Sequence, residues 1–177
     1  MAFLNLLFPS EDAESAYSID YEALYAEGVR GIIFDIDNTL VPHGLPADMK
    51  SRDLFRRLHA VGLKTCLISN NDGPRVRPFA DAVHSDYMPD AGKPLKRGYK
   101  AAMGLMGTDC GNTVFVGDQI YTDILGANLA GIRSVLVKPV AGDYEWQIVL
   151  KRKLEIPVLR LYEKKKKSKA SAVTKKA

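Results

Sequence analysis

The sequence predicts an α/β fold in which helices cover both faces of a central parallel sheet. Strand-like and helix-like segments alternate through the middle of the chain, which is the order that builds such a sheet. Polar residues directly follow three of the strand-like segments, as expected where parallel strands end at a ligand-binding edge. The chain has 177 residues, 46% of them hydrophobic, so it can bury one sizeable core. A single domain is therefore expected.

The predicted strands are short, mainly apolar runs bounded by polar residues or turns. They are Gly31–Phe34, Lys64–Ile68, Thr113–Val116 and Ser134–Val137, with a brief extended piece at Asp86–Met88. The predicted helices carry apolar residues at helical spacing. They span Asp48–Val61, Pro74–Val83, Pro94–Met106, Thr122–Ala130 and Tyr144–Leu154. Gly62, Gly107 and Gly131 are expected to end three of them, and Pro94 suits a first helical turn.

The C-terminal end differs in composition from the rest of the chain. Seven lysines and no acid lie between residues 164 and 177, and setting them aside changes the net charge from +4 to −3. Lysine, serine and alanine bury too little apolar area to fold alone. Residues 1–163 are therefore predicted to form the domain and residues 164–177 a disordered Lys-rich tail. The alternative for the tail is an electrostatic tether to anionic lipid or nucleic acid.

The composition favours a cytoplasmic protein, which could also make peripheral contact with the inner face of the membrane. No apolar run approaches the roughly 18 to 20 residues that cross a bilayer. The apolar start, Phe3 to Phe8, lacks a basic leader and stops at Pro9, which disfavours a secretory signal. We expect this start to pack on the domain or to enter a membrane surface. Cys66 and Cys110 provide neither a disulfide framework nor zinc-site spacing.

The polar residues at the strand ends form the candidate site. Asp35 and Asp37 follow the first predicted strand, Ser69 and Asn70 follow the second, and Asp118 follows the third. Because ligands bind beyond the carboxyl ends of parallel strands, these side chains are expected to face one crevice. Taken singly, each has an ordinary reading as a turn, a helix cap or a loop residue. The prediction rests on their joint occurrence.

Two aspartates at one strand end suit phosphate-ester chemistry. Asp35 can act as a nucleophile, which divides the displacement into forming and hydrolysing an acyl phosphate. Asp37 can protonate the leaving oxygen and then activate water. Mg²⁺ prefers oxygen ligands, and Asp35, the backbone carbonyl of Asp37 and Asp118 fit that preference. Asp123 can cap its helix, hold a metal-bound water or orient a lysine.

The remaining candidates bind the phosphate and offset its charge. Ser69 and the backbone amides around Asn70 can donate hydrogen bonds to phosphate oxygens. The ammonium group of Lys93, in a loop before Pro94, can offset the negative charge that the nucleophile and the phosphate bring together.

These motifs closely resemble those of the haloacid dehalogenase (HAD) superfamily of phosphatases. They are Asp35-Ile36-Asp37-Asn38-Thr39, Ser69, Lys93 and Gly117-Asp118-Gln119-Ile120-Tyr121-Thr122-Asp123. The resemblance covers roughly residues 30 to 140. It implies a three-layer, Rossmann-like fold and an Mg²⁺-dependent phosphatase that acts through an aspartyl-phosphate.

The individual residues of these motifs resemble those of subfamily IIIA, in its YqeG-like and mitochondrial phosphatidylglycerophosphatase-like group. That resemblance implies a lipid-headgroup reaction, from phosphatidylglycerophosphate to phosphatidylglycerol. Asp37 and Ser69 are too close in sequence to hold a cap domain, as are Ser69 and Lys93, so an open site is expected. The alternatives are a soluble phosphoester or phosphorylated macromolecule as the substrate, and a non-catalytic module that binds phosphate or nucleic acid. Nucleic acid is the less favoured partner because the catalytic set is intact.

Overall fold

A computed structural model describes residues 2–141 and 154–167 of the chain, with side chains from Leu4 onward. Its framework is a six-stranded sheet in which every neighbouring pair is parallel. The strands, in chain order, are β1 (Glu11–Ala13), β2 (Gly31–Phe34), β3 (Lys64–Ile68), β4 (Asp86–Met88), β5 (Thr113–Gly117) and β6 (Arg133–Val137). Their spatial order is β1-β6-β5-β2-β3-β4.

Five of the described helices connect successive strands, while the first precedes β1 and the last follows β6. The helices are α1 (Ala2–Leu6), α2 (Tyr21–Ala26), α3 (Met49–Val61), α4 (Gly73–Val83), α5 (Lys96–Met106) and α6 (Leu125–Ala130), followed by α7, which covers residues 154–167. A 3₁₀ turn spans Ala16–Ser18, and a π-helical turn spans Ile120–Ile124.

The core lies on both faces of the sheet, as the sequence predicts. Adjacent strand residues point to opposite faces, so Ile32 packs among the residues of α2, α3 and α4 while Ile33 packs among those of α5 and α6. All four residues of β2 are buried. The strand lies between β3 and β5, with Phe34 opposite Leu67 and Val116. The loops that follow these three strands therefore emerge from one edge of the sheet.

Most of the predicted elements in this region are confirmed. β2, β3 and β4 have the predicted bounds, and α3 begins after an Asp48 cap and ends at Gly62, which has a left-handed φ of 98°. Within the described segment from residue 37 to residue 93, the structure contains α3, β3, α4, β4 and their loops, and no inserted domain. Over these residues, as predicted, no cap domain covers this edge of the sheet.

Two predicted helices begin differently in the structure. The helix predicted from Pro94 starts at Lys96, because residues 92–95 form a turn closed by a hydrogen bond from Leu95 N to Gly92 O. The Lys93–Pro94 peptide bond in this turn is cis. The helix predicted over Thr122–Ala130 is preceded by the π-helical turn, in which the amides of Asp123 and Ile124 both donate to the carbonyl of Gln119.

The sequence did not predict the elements before β2. β1 is a short edge strand of two acids and an alanine, and its backbone pairs with β6. α2 begins after the cap residue Asp20, whose side chain accepts a hydrogen bond from Ala23 N. The apolar start does pack on the domain, since Leu7 is buried against Ile120 and Val158.

The C-terminal prediction needs one correction. α7 continues through Lys164–Lys167, so these four residues are helical instead of disordered. Contacts from Lys166 to Asp12 and from Lys165 to Asn5 join this end of the helix to the N-terminal segment. Most of the helix predicted over Tyr144–Leu154, with Trp146, and the tail residues 168–177 lie outside the described residues. No helix in the described part of the chain is long and apolar enough to span a membrane.

Candidate active site

The candidate site lies at the edge of the sheet where β2, β3 and β5 end. Asp35 follows β2, Ser69 follows β3 and Asp118 follows β5, and all three side chains are buried. Lys93, in a loop, and Asp123, in the π-helical turn, are also buried and reach the same edge. The structure thus brings together five of the residues that the sequence places in the site.

Lys93 joins two of the carboxylates directly. Its Nζ atom donates to Asp35 Oδ1 at 2.5 Å and to Asp123 Oδ1 at 2.7 Å. Burial alone would lower the pKa of Lys93, but the adjacent charges of Asp123 and Asp35 outweigh burial and raise it above its ordinary value. The lysine therefore carries a positive charge at the centre of the site throughout the physiological pH range.

The loop after β3 holds Lys93 in place. The side-chain amide of Asn70 accepts from Lys93 N at 2.7 Å and donates to Lys93 O at 3.2 Å. Ser69 Oγ accepts from the backbone N–H of Asn71 at 3.1 Å, which leaves the serine hydroxyl hydrogen available to a phosphate oxygen. Asn70 thus fixes the lysine loop with its side chain, in addition to the backbone role that the sequence predicts.

Asp35 lies in an environment that disfavours its charge. Burial raises the pKa of this carboxyl to about 6, and the charges of Asp123 and Asp37 act in the same direction, while Lys93 opposes them. Thr39 Oγ1 lies 3.3 Å from Asp35 Oδ2 and 3.1 Å from Asp118 Oδ1, so its hydroxyl can donate to either carboxylate. A further cation near Asp35 would stabilise the ionised form.

The acidic residues form a cluster suited to such a cation. Asp35, Asp118 and Asp123 can each offer one oxygen, and these oxygens lie within 4.8 Å of one another. Three buried carboxylates outnumber the single positive charge of Lys93, and divalent cations such as Mg²⁺ take oxygen ligands of this kind. The donor set fits a divalent metal, with Asp123 as a member that the predicted ligand set of Asp35, Asp37 and Asp118 does not include.

Asp123 also stabilises the loop that carries Asp118. Its Oδ2 atom accepts from the backbone amides of Asp118 at 3.2 Å and Gln119 at 3.0 Å. A Cβ atom at Gly117 would lie 2.7 Å from the carboxyl carbon of Asp123, so glycine is required beside it. Tyr99 OH donates to the carbonyls of Thr122 and Asp123 and thereby stabilises the π-helical turn. Of the roles considered for Asp123, contact with Lys93 is the one seen directly.

Asp37 lies outside this cluster, in a separate set of hydrogen bonds. Its Oδ1 atom accepts from Gly44 N at 2.9 Å and from Arg75 at 2.7 Å, and its Oδ2 atom accepts from Asn71 Nδ2 at 2.7 Å. The side chain keeps 13% of its surface exposed, so an incoming ester can reach it. Sequence reasoning did not identify Arg75, Thr39 or Tyr99 as site residues, although Thr39 belongs to the quoted Asp-x-Asp-x-Thr motif.

A groove of about 1060 Å³ adjoins the site. Asp118 and Ile120 line it on one side, and α7 lines it on the other through Leu159, Lys166 and Lys167. α7 is attached to the π-helical turn that follows Asp118, because the buried Glu155 accepts from Ile120 N at 2.7 Å. The exposed surface of this groove is mainly apolar, but acids line it as well as lysines: Lys166 contacts Asp12 at 2.6 Å, and Lys138 contacts Glu14 at 2.7 Å.

Comparisons with known proteins agree with this geometry. A family model described as HAD-hydrolase-like matches residues 90–144. A Bacillus subtilis protein named "Probable phosphatase YqeG" is 32% identical over 158 residues, which cover 89% of this chain and 92% of that protein. The chain is also 28% identical to the chloroplastic/mitochondrial phosphatidylglycerophosphate phosphatase 1 of Arabidopsis thaliana. That match covers 90% of this chain but 49% of the Arabidopsis protein, so the chain spans about half of that protein's length.

A solved structure supports the fold. The cobalt-bound deoxy-D-mannose-octulosonate 8-phosphate phosphatase of Haemophilus influenzae superposes with a TM-score of 0.50 at 16% identity, covering 63% of this chain and 69% of that one. The chain belongs to the haloacid dehalogenase superfamily of hydrolases. Within that superfamily it is a phosphatase, similar over most of its length to the Bacillus protein.

Proposed function

We propose that the protein is a Mg²⁺-dependent phosphomonoesterase that works through an aspartyl-phosphate on Asp35. The observation that carries this proposal is the placement of Asp35. Asp35 lies at the end of β2 and is paired with Lys93. Together with Asp118 and Asp123 it forms a cluster of carboxylates close enough to hold one metal ion. A nucleophilic carboxylate needs positive charge around it when a phosphate dianion approaches, and these neighbours supply or attract that charge.

The residues divide the reaction into two displacements. In the first, an Asp35 oxygen bonds to phosphorus, the bond from phosphorus to the ester oxygen breaks, and Asp37 donates a proton to that oxygen. In the second, Asp37 takes a proton from water, the water oxygen bonds to phosphorus, and the bond to Asp35 breaks to release inorganic phosphate. Ser69 and the amides near Asn70 hold the phosphate oxygens, and Lys93 offsets their charge.

The metal would supply positive charge to this scheme. Asp35, Asp118 and Asp123, with the predicted carbonyl of Asp37, would hold Mg²⁺, which neutralises charge on the phosphoryl oxygens. A chelator is expected to stop turnover, and Mg²⁺ is expected to restore it.

We propose phosphatidylglycerophosphate as the substrate, hydrolysed to phosphatidylglycerol. Three observations support this choice: the relative from Arabidopsis carries that name, the described part of the site has no cap, and a groove with a mainly apolar surface borders it. α1 and α7 also present exposed leucines, Leu4 and Leu161, and α7 carries exposed lysines, which suits peripheral contact with an anionic membrane. A soluble phosphoester remains the competing substrate class, because an uncapped site also admits small esters.

Phosphate release from a substrate panel tests the proposal. The panel contains phosphatidylglycerophosphate in mixed micelles, sugar phosphates and nucleotides, assayed with Mg²⁺ and with chelator. We expect the lipid to have the highest kcat/KM, and a preference for a soluble ester by orders of magnitude would overturn the lipid assignment. Asp35→Asn should abolish release on every substrate, whereas Asp53→Asn, on the exposed side of α3, should not change it.

A further inference from the structure

The geometry around Asp37 points to a further residue in the reaction. We propose that Arg75 is a positioning residue that holds the general acid, Asp37, in the orientation needed to protonate the leaving oxygen. This inference rests on the proposed function, because it assigns Arg75 a role through Asp37. Arg75 has no contact with the Lys93 cluster among the described hydrogen bonds and ion pairs.

Arg75 and its neighbours fix both oxygens of the carboxylate. Oδ1 accepts from Arg75 at 2.7 Å and from Gly44 N at 2.9 Å, while Oδ2 accepts from Asn71 at 2.7 Å. Three donors from three directions leave the carboxylate plane little freedom to rotate. Among the described residues Oδ1 thus receives two hydrogen bonds and lies 3.8 Å from His43 Nδ1, while Oδ2 receives one hydrogen bond.

Arg75 also connects the carboxylate to the loop above it. The same guanidinium nitrogen donates to Leu45 O at 3.0 Å, and Gly44 in the same loop donates to Asp37. The guanidinium thus joins α4 to the loop that follows Asp37 in the chain. Without the guanidinium, both the loop and the Asp37 carboxylate would lose a hydrogen bond to α4.

The start of α4 directs Arg75 toward the site. Arg75 is the third residue of α4, and its backbone N–H donates to the side chain of the cap residue Asp72 at 3.2 Å. The guanidinium is largely sheltered, with 21% of the side chain exposed, and it faces a carboxylate that is 13% exposed. By contrast, Arg77 on the same helix is 71% exposed and lies 3.7 Å from Asp81 on the surface. Arg77 is therefore the matched control.

A pair of substrates of similar size separates positioning from general structural support. The leaving group of 4-nitrophenyl phosphate departs without much help from an acid, whereas that of 4-nitrobenzyl phosphate, an alkyl alcohol, needs a proton. General acid catalysis contributes roughly 10² to 10⁴ in rate. We expect Arg75→Ala to lower kcat/KM on the order of 10²-fold for the benzyl ester and less than about tenfold for the phenyl ester. Arg77→Ala should change neither.

A double-mutant cycle with Asp37→Asn provides the second readout. If Arg75 acts through Asp37, Arg75→Ala should not change the ratio of the two rates further once Asp37→Asn has removed the acid. Arg75→Lys, which keeps the charge but loses the planar donor geometry, should give an intermediate ratio. Thermal melts of each variant identify any loss of folding.

Two results would overturn the inference. One is an equal loss on both esters in folded Arg75→Ala and Arg75→Lys variants, and the other is a further change of the ratio when Arg75→Ala is added to Asp37→Asn. Failure of the proposed function would look different, since Asp35→Asn would then retain phosphate release on both esters.

Discussion

Replacing Lys93 by methionine should reveal how much the site depends on one buried ammonium group. The side chain is 4% exposed and contacts Asp35 and Asp123 at 2.5 and 2.7 Å. Methionine keeps much of the aliphatic volume but removes the charge, so two buried carboxylates would face each other without compensation. Removing one partner of a buried ion pair typically costs about 3–5 kcal/mol, and here a single lysine serves two carboxylates. We expect the free energy of unfolding to fall by at least about 3 kcal/mol in the presence of a chelator.

Urea denaturation followed by far-UV circular dichroism measures this loss. Lys100→Met, at an exposed position on α5, is the control and should change stability by less than about 0.5 kcal/mol. Adding Asp35→Asn to Lys93→Met removes one of the uncompensated charges and should recover part of the stability. A Lys93→Met protein within about 1 kcal/mol of the parent in chelator would refute the argument that the lysine compensates these carboxylates.

Three further changes test the supports of the site and the state of the core. Glu155→Ala leaves a buried backbone N–H at the start of the π-helical turn without its acceptor, so urea denaturation should show a loss of about 1–3 kcal/mol. Gly126→Ala would put a Cβ atom 2.3 Å from a tyrosine hydroxyl and should lower the melting temperature, whereas Gly104→Ala, in open space on α5, should raise it. Burial raises the pKa of the Cys66 thiol to about 12, whereas Cys110 is exposed. At pH 8 to 9, iodoacetamide should therefore label Cys110 alone in the native protein and both cysteines after denaturation, as measured by mass spectrometry. Rapid labelling of Cys66 in the native protein would contradict this.

The sequence predicted the centre of the fold well because its strands are short, apolar and buried. The bounds of β2, β3 and β4 follow from such runs and from the polar residues that end them. The parallel order then brings Asp35, Ser69 and Asp118 to one edge, so their convergence could be predicted without coordinates. Edge strand β1 had no such signal, because Glu11 and Asp12 pair through their backbone and leave no apolar pattern.

Other features depend on contacts that local sequence does not reveal. Arg75 lies on an amphipathic helix, where an arginine ordinarily faces solvent, and it reaches Asp37 across 38 positions of the chain. The π-helical turn forms where Asp123 accepts hydrogen bonds from the amides before it, which helical periodicity does not encode. Glu155, on α7, likewise holds the first residue of this turn from outside the motifs that identify the superfamily.

Acid quenching during turnover tests the central claim most directly. An aspartyl-phosphate is an acyl phosphate, which borohydride reduces, so the carboxyl group of the nucleophile becomes an alcohol and the residue becomes homoserine. Peptide mass spectrometry of the quenched, reduced protein should place this change at Asp35, and it should be missing from Asp35→Asn and from samples without Mg²⁺. Steady turnover with no reduced residue, or with the reduced residue at Asp37 or Asp118, would contradict the assignment of Asp35 as the nucleophile.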